Sequence, residues 1–111
     1  MAVKDIIMIR GDTLTIPIVL KNRRGETLDL RGYRFRFTVK KNYADEVPSI
    51  EVDEVVDPNN TEPVYTVLLK IQTRSLQAGT YVYDLEMTDT QEIVKTLLIG
   101  KLVLEPDVSR S

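Results

Sequence analysis

Gln72-Thr73-Arg74-Ser75-Leu76-Gln77-Ala78-Gly79-Thr80-Tyr81-Val82-Tyr83-Asp84-Leu85-Glu86-Met87-Thr88-Asp89 is the stretch whose reading decides the fold. Its first half reads as a single helical turn. Thr73 is placed to accept a backbone N–H ahead of it, Leu76 points inward, and Gly79 supplies the positive φ that ends the turn. The second half alternates strictly, with Tyr81, Tyr83, Leu85 and Met87 on one side of an extended chain and Val82, Asp84, Glu86 and Thr88 on the other. A turn that drops one leucine into the core and launches a tyrosine-rich strand predicts a crossing between the two sheets of a Greek-key sandwich.

Strand patterns continue on both sides of this pivot. Upstream, Val3 to Ile9 is an apolar strand, and Arg10-Gly11-Asp12 turns out of it. Leu14, Ile16, Ile18 and Leu20 alternate through a strand whose Pro17 donates nothing to a ladder, which places it at an edge or a bulge. Asn22-Arg23-Arg24-Gly25 reads as a hairpin loop. Leu28 to Gly32 turns into the clearest period-2 segment, where Tyr33, Phe35, Phe37 and Val39 face the core and Arg34, Arg36, Thr38 and Lys40 face away. Lys41 to Pro48 is a polar connection. A weaker strand through Ile50, Val52 and Val55-Val56 ends at Asp57-Pro58-Asn59-Asn60. Val64 to Ile71 resumes with Tyr65, Val67, Leu69 and Ile71 inward. After the pivot, Asp89-Thr90-Gln91-Glu92 turns into a long apolar run, Ile93 to Leu104, in which Gly100 predicts a bulge. Residues 105–111 read as a frayed polar tail.

About seven strands at 8–12 residue spacing, without an amphipathic helix, predict an all-β protein: one immunoglobulin-like antiparallel β-sandwich of Greek-key type spanning residues 1–111. A hydrophobic fraction of 42% with 29% charged residues is that of a globular chain rather than a disordered one. The net charge of −2, scattered in sign, offers no electrostatic footprint for nucleic acid or an anionic membrane. The sequence contains no cysteine and no histidine, so disulfides, thiolate chemistry and imidazole bases or ligands are excluded. Met1 to Asp5 lacks the apolar core of a signal peptide, and no run reaches membrane-spanning length, so synthesis in the cytoplasm is expected.

Six groups of residues are candidates for chemistry. Arg10-Gly11-Asp12 matches the integrin-ligand tripeptide but equally fits a turn needing Gly for φ and Asp for a side-chain cap. Asn59-Asn60-Thr61 matches a glycosylation acceptor that fits the turn already read there. Glu51, Asp53, Glu54, Asp57 and Asn59 offer oxygen ligands at a spacing unlike any EF-hand loop, and acids on an edge strand also block strand pairing, so no metal site is assigned. Asp84 and Glu86 lie about 7 Å apart by the strand rise, yet no glycine-rich or nucleophile-elbow motif accompanies them, and no catalytic or cofactor-binding residue is assigned. Arg34, Arg36 and Lys40, with Arg23 and Arg24 in the loop before them, form a candidate contact face for an acidic partner, unless Asp84 or Glu86 neutralises it. Tyr43 is the one aromatic expected in a loop.

Four segments in order carry a family resemblance: Arg10-Gly11-Asp12-Thr13; Leu28-Asp29-Leu30-Arg31-Gly32-Tyr33-Arg34-Phe35-Arg36-Phe37-Thr38-Val39-Lys40; Leu76-Gln77-Ala78-Gly79-Thr80-Tyr81-Val82-Tyr83-Asp84-Leu85; and Gly100-Lys101-Leu102-Val103-Leu104 with Asp107-Val108. Together they resemble a phage and prophage immunoglobulin-like structural domain, similar to the N-terminal domain of the baseplate upper protein of tailed phages infecting Gram-positive bacteria. The likeness spans nearly the whole chain, although the baseplate protein continues into further segments. It implies a non-enzymatic virion module of the baseplate or tail, made in the bacterial cytoplasm. Its partners would be other virion proteins or further copies of itself, with no nucleic acid, membrane, cofactor or small-molecule substrate. The alternative expectation is a carbohydrate-binding or adhesin-like sandwich that recognises bacterial surface glycan.

Overall fold

A computed structural model describes residues 1–108. The chain is all-β, with strands β1 (Ala2–Val3), β2 (Ile6–Ile9), β3 (Thr13–Ile18), β4 (Arg34–Lys40), β5 (Ile50–Val55), β6 (Val67–Gln72), β7 (Gly79–Thr88) and β8 (Val94–Glu105). They form a six-stranded sheet ordered β1-β8-β7-β4-β5, with β2 also on β8, and a two-stranded sheet of β3 and β6. Alternation places the core. Phe35, Phe37 and Val39 of β4, Tyr81, Tyr83, Leu85 and Met87 of β7, and Leu102 and Leu104 of β8 are buried beneath Ile18, Val67, Leu69 and Ile71 of the smaller sheet. Phe37 and Tyr83, diagonal neighbours across β4 and β7, stack with centroids 5.3 Å apart.

Several details differ from the expectations. The sandwich is not purely antiparallel: β1 and β2 both pair parallel with β8. These two short strands replace the single strand read over Val3 to Ile9, and Gly100 is the reason. A Cβ on Gly100 would collide with the carbonyl oxygen of Lys4, so glycine lets the first strand buckle into the sheet there. Asp5 Oδ1 then accepts the Lys101 N–H (3.0 Å), and the Tyr83 hydroxyl donates to the Lys4 carbonyl, so the interrupted ladder keeps its partners. The bulge itself lies earlier in β8, where the register shifts between Leu85 and Glu86, opposite Leu98 and Thr96. The extra residue, Leu97, packs against the core beside Leu98.

The pivot crosses from β6 to β7, between the sheets, with Leu76 buried. It is a hydrogen-bonded turn rather than a helical one, closed by Leu76 N–H donating to the Thr73 carbonyl (3.0 Å). Thr73 caps a different segment: its hydroxyl oxygen accepts the Gly11 N–H and donates to the Asp12 carbonyl, each at 2.9 Å. Tyr65 is half-exposed and precedes β6, against the inward placement expected of it, whereas Tyr33, half-buried just before β4, packs against the core and stacks on Phe35 with centroids 6.3 Å apart. Of the tail, Glu105 ends β8 opposite Ile9, while residues 109–111 lie outside the described residues. No described helix is long and apolar enough to cross a membrane.

Candidate functional site

The outer face of the six-stranded sheet gathers most of the candidate residues. Register fixes its rows. One row runs Val3, Ile99, Asp84, Thr38, Glu51 across β1, β8, β7, β4 and β5. The next rows toward one end are Lys101, Val82, Lys40, and toward the other Thr96, Glu86, Arg36, Asp53 and then Val94, Thr88, Arg34, Val55. Strand pairing therefore delivers Arg34, Arg36 and Lys40 to one face, as their spacing requires.

The arginines are neutralised from β5, not from β7. Arg34 Nε donates to Asp53 Oδ1 at 2.8 Å and Nη2 to Oδ2, a bidentate pair. Arg36 approaches Glu51 (3.3 Å) and Asp53 (3.7 Å). Hydrogen bonding to Arg34 holds the Asp53 carboxyl below its usual range and raises the Arg34 guanidinium in turn. Glu86 stands directly opposite Arg36 in the register, yet the described ion pairs of Arg36 run to the other side. Arg34 and Arg36 also border a shallow depression of about 440 Å³ with Glu86, Thr88, Glu92 and Val94.

Asp84 occupies the other half of the face. It lines a cavity of about 200 Å³ with Thr38, Lys40, Tyr43, Val82 and Ile99. Its Oδ1 is out of solvent and has no hydrogen-bond partner among the described residues. Burial, and secondarily the Glu86 carboxylate, push the Asp84 carboxyl above its ordinary range, against a smaller opposing effect of Lys40.

The remaining motifs serve the fold. Arg10 donates to the Leu76 carbonyl and, at 3.0 Å, to the Arg74 carbonyl, so the Arg-Gly-Asp turn is clamped onto the pivot through its arginine. Asp29 accepts from Arg31 Nε (2.8 Å) and from the Val64 N–H (3.1 Å), and Arg31 reaches the Asn60 carbonyl (3.0 Å). The Arg31 bond above all lowers the Asp29 carboxyl to about 2. This clasp joins the turn before β4 to the segment before β6. Asn59 lies in a turn whose Asp57 carboxylate accepts the Asn59 N–H (2.9 Å).

The five oxygen donors between Glu51 and Asn59 do not converge. Glu51 and Asp53 face the arginines, Glu54 lies opposite Phe35 on the reverse side of β5, and Asp57 is in the turn. Among the described residues no group of three or more acids forms a metal-holding cluster. The cavity at Asp84 was only half legible in the sequence: alternation puts Asp84 and Val82 on one face, but bringing Tyr43 beside them takes the fold of the 41–49 connection.

At the sheet edge next to this cavity, Val3 is 72%, Ile7 66% and Ile9 47% exposed. Between this edge and the edge of β3 runs a groove of about 530 Å³, mostly apolar along Ile6, Ile7, Leu14, Ile16, Pro17 and Leu98 but also bordered by Lys4, Asp5 and Thr15. No protein-family model, no curated protein and no solved structure matches this chain.

Proposed function

We propose that the chain is a non-enzymatic structural module of a phage or prophage virion, acting in the baseplate or tail through protein–protein contacts. The observation that carries this reading is the apolar edge. Edge strands normally carry charge, proline or cover against strand pairing. Here Val3, Ile7 and Ile9 are exposed on β1 and β2, beside a groove whose other wall is the free edge of β3. Such an edge can accept an added strand through its main chain while alternate side chains enter the groove. The ordered family resemblance supports the same reading. So does the Tyr81 hydroxyl, which donates to the Gln77 carbonyl at 2.8 Å in the manner of the tyrosine corner of immunoglobulin-like Greek-key sandwiches. Arg34, Arg36 and Lys40 form the second proposed contact surface, with Lys40 the one of the three outside the described ion pairs.

The test is composition. Phage particles or tails purified from the organism that encodes the chain should contain it by mass spectrometry, and Ile7→Lys with Ile9→Lys should remove it from them without changing the fold by circular dichroism. Particles that lack the chain overturn the reading. Unaltered incorporation of the double variant moves the contact to the Arg34–Lys40 face, where Arg34→Glu with Arg36→Glu should then block it.

The glycan-binding alternative has one observation of its own, the Tyr43 ring beside a cavity with an acceptor carboxylate. A single ring gives it one stacking platform.

A further inference from the structure

We infer that the cavity at Asp84 receives an arginine side chain from a partner protein. This inference rests on the protein-contact reading above and gives it a site and a chemistry. The cavity, about 200 Å³, has room for one side chain. Its walls are the aliphatic Val82 and Ile99 and the ring of Tyr43; its polar groups are the Thr38 hydroxyl and the Asp84 carboxylate, with Lys40 at the rim.

Charge selects the occupant. Asp84 Oδ1 has no donor and no solvent, and Glu86, next along the same face of β7, adds a second negative charge. The nearby guanidinium that could have served, Arg36, is drawn to Glu51 and Asp53 on β5. Lys101 and Lys40 flank Val82 one row away, and the pull of Lys40 is outweighed by burial and by Glu86. A neutral sugar would leave this charge in place. A guanidinium would neutralise it, donate to carboxylate and hydroxyl from one planar fork, and lay its face on the Tyr43 ring, with its methylene stem against Val82 and Ile99. Rotation about the Asp84 Cβ–Cγ bond brings either oxygen to the incoming donor. The site also continues into the apolar edge, since Ile99 is the direct neighbour of Val3. A partner packed on that edge is therefore in position to insert the arginine.

The test is a titration of the ¹⁵N-labelled chain with N-acetyl-L-arginine amide, followed by NMR. Saturable shifts should appear at the amides of Thr38, Tyr43, Val82, Asp84 and Ile99, with millimolar affinity. Asp84→Asn, which preserves shape, should weaken binding by about tenfold or more, and Tyr43→Ala should weaken it less. N-acetyl-L-lysine amide should bind more weakly, and N-acetylglucosamine should leave these amides unmoved. Absence of local saturable shifts, an unaffected Asp84→Asn variant, or equal binding of lysine or of the sugar overturns the inference. Failure here says nothing about particle composition, and particles lacking the chain would leave the titration result standing, so the two readings fail separately.

Discussion

The two edges of the six-stranded sheet are built oppositely. β5 carries Glu51, Asp53 and Glu54, and two of these acids are tied to Arg34 and Arg36 of the neighbouring strand. A strand approaching that edge meets negative charge on both faces, because Glu51 and Asp53 project one way and Glu54 the other. β1 and β2 instead show Val3, Ile7 and Ile9, and where the chain buckles at Gly100 the Asp5 carboxylate accepts the Lys101 N–H while Lys4 contributes backbone groups. One edge carries acids on both faces, and the other exposes mostly apolar side chains. The contrast teaches where an added strand would meet the least repulsion, which is the premise of the proposed contact.

The sharpest way to break the contrast is Gly100→Val. Its side chain needs the space held by the Lys4 carbonyl, so β1 and β2 should detach together with the Tyr83–Lys4 hydrogen bond. We expect a loss of roughly 3 kcal/mol in chemical denaturation and faster hydrogen exchange at residues 2–9, with β5 protection preserved. A substitution that left residues 2–9 protected would refute the role given to Gly100.

Thr73→Val strikes the turn that follows the apolar edge. It leaves the Gly11 N–H and the Asp12 carbonyl without the hydroxyl that serves both, at a cost of about 2 kcal/mol. Thr73→Ser should recover most of that, which separates the hydrogen bonds from the methyl packing.

Asp84→Asn tests the outer face beside the apolar edge, with the opposite sign. The Asp84 carboxyl is raised in the folded state, so its protonation favours folding, and its ionised form weighs against the fold at neutral pH. The asparagine variant should be the more stable at pH 7, by an amount that solvent screening at this part-exposed site keeps small. That gain should fade as pH falls through the raised folded value and vanish below the ordinary 3.8. Asp29 and Asp53 behave in reverse: their lowered carboxyls stabilise above 3.8, and that contribution is lost as pH falls toward their folded values, about 2 for Asp29. Thermal melts of both proteins between pH 7 and 3 would show whether the curves converge.

The smallest expected effect on stability, and the most direct sharpening of the comparison, comes from making the acidic edge resemble the apolar one. Glu51→Val with Glu54→Val removes an acid from each face of β5 while keeping the Arg34–Asp53 pair. Stability should move by no more than about 0.5 kcal/mol, whereas light scattering should show mass rising with concentration beyond the parent protein. An unchanged mass would mean that the acids at β5 are not what keeps that edge single.

Much of this was legible in the sequence because it is local. A period of two, read over Tyr33–Val39 and Tyr81–Met87, determines which side chains turn inward as soon as the segments are extended. Turn chemistry likewise determined the loops: Gly25 and Gly32 take φ of 82° and 84°, and Asp89 Oδ1 accepts the N–H groups of Gln91 and Ile93. Pro17 announced an edge, and β3 has a single strand neighbour. Only the tertiary structure decided the matters that depend on residues far apart in the chain. The parallel pairing of β1 and β2 with β8 joins segments nearly a hundred positions apart, and the reading of Gly100 as a bulge failed because the carbonyl that needs its space belongs to Lys4. The clamp of Arg10 on Leu76, the choice of Asp53 over Glu86 as arginine partner, and the arrival of Tyr43 beside Asp84 are of the same kind. Periodicity specifies the face of a strand, while neighbours across a sheet are specified by which strands bury the most apolar surface together, a sum over the whole chain that no single segment contains.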